Sequence, residues 1–128
     1  MLRAGILNPH ILDLLSRIRH TNTLVISDRG FPFWPQIETV DISLIDDVPT
    51  VMQVFAALKE NFEYGHVWVA EEFKSNNSAE KLAELQAQVG ATLNFESHVA
   101  LKERVPGAIG LIRTGDTTQY ANMIIKSA

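Results

Sequence analysis

The sequence predicts an α/β fold, layered as α/β/α around a central sheet that is largely parallel or mixed, and three observations carry that prediction. Apolar residues at helical spacing alternate along the chain with short runs rich in Val, Ile and Leu, the pattern of helices packed on a sheet. Helix-start and helix-stop residues fall where the two patterns meet. The 128 residues suit one domain, and no repeat, low-complexity stretch or linker divides 1–128.

Asn8-Pro9 opens the first helix. Asn8 can cap it, and Pro9 suits the first helical position because its missing N–H would have no intrahelical partner there. Ile11, Leu12, Leu14, Leu15 and Ile18 then form one apolar stripe. Thr23-Leu24-Val25-Ile26 reads as a short buried strand ended by Ser27-Asp28-Arg29-Gly30. Pro32 and Pro35 keep the following aromatics, Phe31, Phe33 and Trp34, in a loop. A short strand is expected over 39–42, and a second helix opens at Pro49 with Met52, Phe55, Leu58 and Phe62 on its buried face. A strand follows over 66–70. Asn77 with Glu80 resembles a capping box for a helix that carries Leu82, Leu85 and Val89 and stops at Gly90. Residues 92–96 read as extended, and Ser97 caps a short helix running through Arg104. Strands over 108–113 and 122–125 are joined by a polar turn containing Gly115 and Asp116. In sheets of this kind ligands bind beyond the carboxyl ends of strands, and Asp28 and Arg113 occupy such ends.

The totals exclude several function classes. Eleven basic and 15 acidic residues give a net charge of −4, with no basic run to grip phosphate backbones, so no nucleic-acid partner is expected. The absence of cysteine removes disulfides, thiolate nucleophiles and cysteine-ligated zinc and fits a reducing compartment. Arg3, Asp13, Arg17 and Arg19 interrupt what would be the apolar stretch of a signal peptide. No apolar run reaches bilayer-crossing length. A cytoplasmic protein with no membrane partner is the expectation. The chain lacks G-x-G-x-x-G, G-x-x-x-x-G-K-[ST] and G-x-S-x-G. It has no H-x-x-x-H pair, and Glu71 and Glu72, adjacent at a strand end, would point to opposite faces. Neither a metal nor another cofactor is expected.

Chemistry must then come from His, Asp, Lys, Tyr and Asn. His20, in Arg19-His20-Thr21-Asn22, is placed to swap protons, since imidazole is the side chain that changes charge between about pH 5 and 8; the structural alternative is a histidine closing the first helix. Asp28 can accept from two hydroxyls of a ligand or merely shape an Asx turn. His98 and Lys102, four apart, share a helix face, which is either one wall of a site or a solvated surface. Tyr120-Ala121-Asn122 offers donors and acceptors in a fixed frame, or packs at a strand entry.

Read in order, these segments resemble the D-ribose pyranase / L-fucose mutarotase family nearly end to end. The resemblance runs through Gly5-Ile6-Leu7-Asn8, Arg19-His20-Thr21-Asn22, Ser27-Asp28-Arg29-Gly30-Phe31-Pro32, Val48-Pro49, Ala70-Glu71-Glu72-Phe73-Lys74 and the His98–Lys102 spacing. Its most specific part is Ile112-Arg113-Thr114-Gly115-Asp116 followed by Tyr120-Ala121-Asn122-Met123-Ile124-Ile125. The resemblance implies a cofactor-free monosaccharide isomerase that interconverts pyranose and furanose forms by general acid–base ring opening. It implies His20 as proton donor, and Asp28, His98, Tyr120, Ala121 and Asn122, with Lys102, as the substrate-binding set. It also implies a homo-oligomer with sites at subunit contacts, where His98 and Lys102 are candidates to reach a neighbouring subunit's site. An L-fucose-type anomer mutarotase acting on another sugar, and a non-catalytic sugar-binding protein, are the alternatives. Arg29 beside Asp28 and the aromatic loop of Phe31, Phe33 and Trp34 depart from the family pattern, and aromatic rings there would stack on the apolar face of a sugar.

Overall fold

Two patterns of side-chain burial divide the strands into inner faces of opposite sense. In the computed structural model, which describes residues 1–128, all six strands join one sheet in the order β2-β5-β1-β6-β3-β4. They are β1 (Thr23–Ser27), β2 (Glu38–Asp41), β3 (Tyr64–Ala70), β4 (Leu93–Glu96), β5 (Gly110–Arg113) and β6 (Met123–Ser127). Parallel pairing joins β2 to β5, β5 to β1, and β3 to β4, while β6 runs antiparallel to both β1 and β3. Five strands therefore point one way and β6 alone is reversed. The sheet is mixed, and the carboxyl end of β1 shares an edge with the amino end of β6.

Alternation along each strand assigns the two faces. Leu24, Ile26, Val40, Val67, Val69, Ile112, Met123 and Ile125 pack against helices α1 (Pro9–Ser16), α2 (Val51–Lys59) and α4 (Ala79–Val89). Val25, Leu111 and Ile124 face the other way, onto helix α5 (His98–Arg104) and the loop that carries Phe31 and Trp34. The α/β/α layering holds, with one heavily covered face and one that a single helix and a loop cover.

The helix ends follow capping chemistry. The Asn8 side chain accepts from His10 N and Ile11 N, with Pro9 at the first position, as expected. Ile11, Leu14 and Ile18 are buried, but Leu12 stays 38% exposed, since it lies off the core-facing stripe. The second helix begins at Val51 rather than Pro49, because Thr50 and Gln53 form a reciprocal capping box. Its buried residues are Val51, Val54, Phe55 and Leu58, while Met52 and Phe62 are only half-buried. The fourth helix is capped by Ser78, whose hydroxyl accepts from Lys81 N, not by Asn77. Gly90 ends it at φ +80, a conformation that suits glycine. Ser97 caps α5 as expected, accepting from Ala100 N.

One element was not expected. Glu71 and Glu72 do not lie on a strand; β3 stops at Ala70, and a short helix, α3 (Glu72–Asn76), turns there. The link between the last two strands is also more than a polar turn. Asp116 is 4% exposed, and its carboxylate accepts from Val51 N and Thr118 N, each at 2.8 Å. Gly115 is needed beside it, because a Cβ at that position would run into the Ile45 carbonyl oxygen.

Candidate sugar site at the carboxyl edge of the sheet

The strand register explains why residues far apart in sequence meet. Ile26 pairs with Met123 across β1 and β6, so Asp28, one step past β1, lies beside Asn122, one step before β6. Val69 pairs with both Met123 and Phe95, which brings the end of β4, and hence the start of α5, to the same edge. His98 and Lys102 then project from one face of that helix. Asp28, His98, Lys102, Tyr120 and Asn122 consequently line one cavity of about 390 Å³, together with Gly30, Phe31, Pro32 and Gln119.

The cavity wall is held by hydrogen bonds that fix side chains before any ligand arrives. Asn122 is 3% exposed, and its Oδ1 accepts from the backbone N–H of Asp28 at 2.8 Å. Asp28 in turn accepts from Gly30 N at 3.0 Å, the Asx turn that the sequence offered as an alternative; the same residue both shapes the loop and faces the cavity. Arg113, at the end of β5, donates from Nη1 to the carbonyls of Phe31 (2.7 Å) and Arg29 (3.2 Å), stapling the loop beneath. The His98 ring meets Tyr120 edge-on at 5.1 Å between centroids and Phe31 at 6.3 Å. Its Nδ1 is buried with no protein partner.

Burial tunes the two titratable groups in opposite senses. It pushes the Asp28 carboxyl above the ordinary 3.8, while bonds from Gly30, Phe31 and Asn122 pull it back. Burial pushes the His98 imidazole below 6.5, and the Lys102 ammonium adds to this, against the charges of Glu72 and Asp28. A carboxylate, an ammonium, an imidazole, a phenol and an amide around a small cavity can bind a polyhydroxylated molecule from several sides.

Other candidates fall elsewhere. His20 is exposed in the turn before β1, where Thr21 N donates to Ser127 O at 3.2 Å. It thus sits at the amino end of a strand whose carboxyl end carries Asp28, and five extended steps from Thr23 to Asp28 span roughly 16 Å. Within one chain His20 does not reach the cavity. His98 and Lys102, candidates for a neighbouring subunit's site, line their own chain's cavity with Asp28. The Ala121 side chain faces a second cavity of about 280 Å³ on the opposite side, lined also by Val51, Phe73, Leu85 and Asp116. Of the loop aromatics, Phe31 lines the site, Trp34 packs beneath α5, and Phe33 is 70% exposed. Arg29 turns away to pair with Asp46 at 2.7 Å. Gln119 was not singled out; a polar residue in a loop gives no local signal. No three His, Asp or Glu side chains converge as metal ligands, and no helix is long and apolar enough to cross a membrane.

Comparison with known proteins bears on the sequence and the fold. The chain is 38% identical to a D-ribose pyranase of Chromobacterium violaceum, covering 99% of this chain and 97% of that one. It is 35% identical to a D-ribose pyranase of Clostridium tetani at the same coverage. Its fold matches the structure of Bacillus subtilis RbsD complexed with D-ribose with a TM-score of 0.92, at 32% identity over 100% of this chain and 98% of that one. A fucose mutarotase from Streptococcus pneumoniae in complex with L-fucose shares the fold, with a TM-score of 0.78 at 14% identity over 94% and 92% of the two chains. The model of the RbsD / FucU transport protein family matches residues 1–128, and with sequence and fold in agreement over that whole length, this chain belongs to that family.

Proposed function

We propose that this protein is a D-ribose pyranase: it interconverts the pyranose and furanose forms of D-ribose by general acid–base catalysis. The observation that carries this reading is the convergence of Asp28, His98, Lys102, Tyr120 and Asn122 on one cavity in a chain 38% identical to a D-ribose pyranase. These five side chains hold the sugar hydroxyls, with Asp28 and Asn122 as a prearranged pair.

The reaction needs a proton delivered to the ring oxygen and one removed from the anomeric hydroxyl. The C1–ring oxygen bond then breaks to give the open aldehyde. Closure through a different hydroxyl, with the protons moving in reverse, gives the other ring size. Closure on the other face of the aldehyde gives the other anomer, so ring-size exchange and mutarotation share one intermediate. His20 is the proton shuttle in this scheme, and it reaches the cavity from a second copy of the chain. Exposed Phe33 and Val99, 70% and 69% accessible, adjoin the lining residues Pro32 and His98 and supply apolar surface for that contact. The working form is a homo-oligomer in the cytoplasm, with sites at subunit contacts and no metal or other cofactor in the step.

Saturation-transfer NMR on D-ribose tests the assignment. The parent protein speeds exchange between pyranose and furanose signals. His20→Ala keeps D-ribose affinity within about threefold and loses a hundredfold or more of the rate enhancement, the usual worth of a placed acid–base group. Wild-type exchange in that variant removes His20 from the mechanism. Binding without exchange in the parent identifies a sugar-binding protein instead.

A further inference from the structure

The two sides of the cavity that carry His98 and Tyr120 come from chain segments 22 residues apart, and no hydrogen bond joins them directly. Both are tied to the same short element. The carboxylate of Glu72, the first residue of α3, accepts from the backbone N–H of His98 through Oε1 (3.1 Å) and Oε2 (3.0 Å). At the other end of α3, Asn77 Nδ2 donates to the carbonyl of Gln119 at 2.8 Å and to that of Phe73 at 3.1 Å. Phe73, the second residue of α3, is 5% exposed and anchors the element in the main core.

Each tie bears on a group that needs one. The His98 N–H belongs to the first turn of α5, where no intrahelical acceptor exists, and the Ser97 hydroxyl is already engaged with Ala100 N. Tyr120 adopts φ +56, a left-handed backbone that a residue with a Cβ holds only when its surroundings impose it. The bond from Asn77 grips the peptide that precedes it.

We propose that α3 is the bracket that sets the His98–Tyr120 pair, with Glu72 and Asn77 as positioning residues for sugar binding. The role rests on the sugar-site reading above, but the bracket itself is tested without activity. His98 is faced by Lys102 from its own helix, Glu72 from α3, Asp28 from the end of β1, and the Tyr120 ring. Loss of the Glu72 charge removes one of the two anionic neighbours and lowers the pH at which His98 titrates.

The experiment uses the full chain as the parent and as Glu72→Ala, Glu72→Gln, Asn77→Ala and the Glu72→Ala/Asn77→Ala double variant. It measures D-ribose affinity, Tm, the NMR titration of the His98 ring and the Tyr120 ring signals. Glu72→Ala weakens D-ribose binding about tenfold, the loss expected when a bond to a charged acceptor is removed, and shifts the His98 titration to lower pH. Glu72→Gln keeps an acceptor and restores most of the affinity while retaining the titration shift. Asn77→Ala moves the Tyr120 signals and weakens binding about threefold. The double variant loses less than the product of the two, because both ties serve one pair. Unchanged affinity and an unmoved His98 titration in Glu72→Ala overturn the proposal, as does a loss that follows Tm alone and is not rescued by Gln. If the parent neither binds nor exchanges D-ribose, the sugar reading fails and the NMR decides the bracket: shifted His98 and Tyr120 signals support it, and unshifted ones overturn it.

Discussion

The two ends of β1 differ in how finished they are. At the carboxyl end, Asp28 is half-buried, accepts from Gly30 N and donates its own N–H to Asn122 Oδ1, with His98, Lys102 and Tyr120 around the same cavity. At the amino end, His20 stands exposed in a turn closed by backbone bonds to Ser127 and between Arg19 and Asn22, with no other candidate site residue beside it. One chain thus assembles the whole cavity proposed to bind a sugar but leaves its proposed proton shuttle on the opposite edge. The difference teaches that binding and proton transfer are separable here. In the proposed scheme the first rests on the register of β1, β4 and β6, and the second on how copies meet.

The largest expected effect on the finished end comes from Asp28→Asn. The charge-assisted bonds to sugar hydroxyls disappear, and D-ribose affinity falls at least tenfold in an isothermal titration. The fold does not suffer. Burial raises the folded carboxyl above its ordinary value, so the stability this group contributes is present below 3.8 and is lost as pH rises through the folded value. Ionised Asp28 is therefore a cost at neutral pH, and the variant's Tm at pH 7 is no lower than the parent's. A clear drop in Tm there means that the Asx turn requires the charge, and the division between binding and stability at this end breaks down.

A second effect concerns pH. His98 titrates below 6.5, chiefly through burial and then through Lys102, while Asp28 takes up its proton above the ordinary carboxyl value. The His98 change falls on the acid side of 6.5, where an added proton removes an acceptor, and protonation of Asp28 removes a charge and weakens binding in the same sense. Affinity for D-ribose accordingly stays level from about pH 8 to 6.5 and weakens only in more acid solution. A midpoint above 6.5 means that the cavity leaves His98 solvated. The smallest effect belongs to Arg29→Ala. Arg29 and Asp46 are 58% and 65% exposed, and such pairs contribute little, so Tm stays within about 3 °C of the parent and affinity is unchanged. A change in sugar preference in that variant brings Arg29 into the site.

The contrast also marks what the amino-acid sequence makes legible. Local signals with one physical solution read correctly: Asn8-Pro9 and Ser97 as helix starts, the β1 run, Asp28 at a strand end, and His98 with Lys102 on one helix face. Where two residues compete for one role, the sequence underdetermines the outcome. Both Asn77 and Ser78 can cap α4; Ser78 does so through its hydroxyl, while the Asn77 side chain is turned to donate Nδ2 to Gln119 and Phe73. Thr50 outcompetes Pro49 through its reciprocal bond with Gln53. The segment Glu72–Asn76 is too short and too charged to show periodicity, so α3 leaves no pattern. The reversal of β6 is a tertiary choice that no local composition encodes, yet it is what lays Asn122 beside Asp28. Gln119 enters the cavity only because of that reversal.

Subunit complementation tests the split site most directly. His20→Ala and Asp28→Asn chains, differently tagged, are co-expressed, and assemblies carrying both tags are assayed by saturation-transfer NMR on D-ribose. At D-ribose well below the parent's Kd, each variant alone exchanges at about a tenth of the parent rate or less. If His20 and Asp28 act from different copies, roughly a quarter of the sites in a randomly mixed assembly unite both intact groups, and exchange returns to about that fraction of the parent rate. Mixed assemblies as inactive as either variant contradict the account.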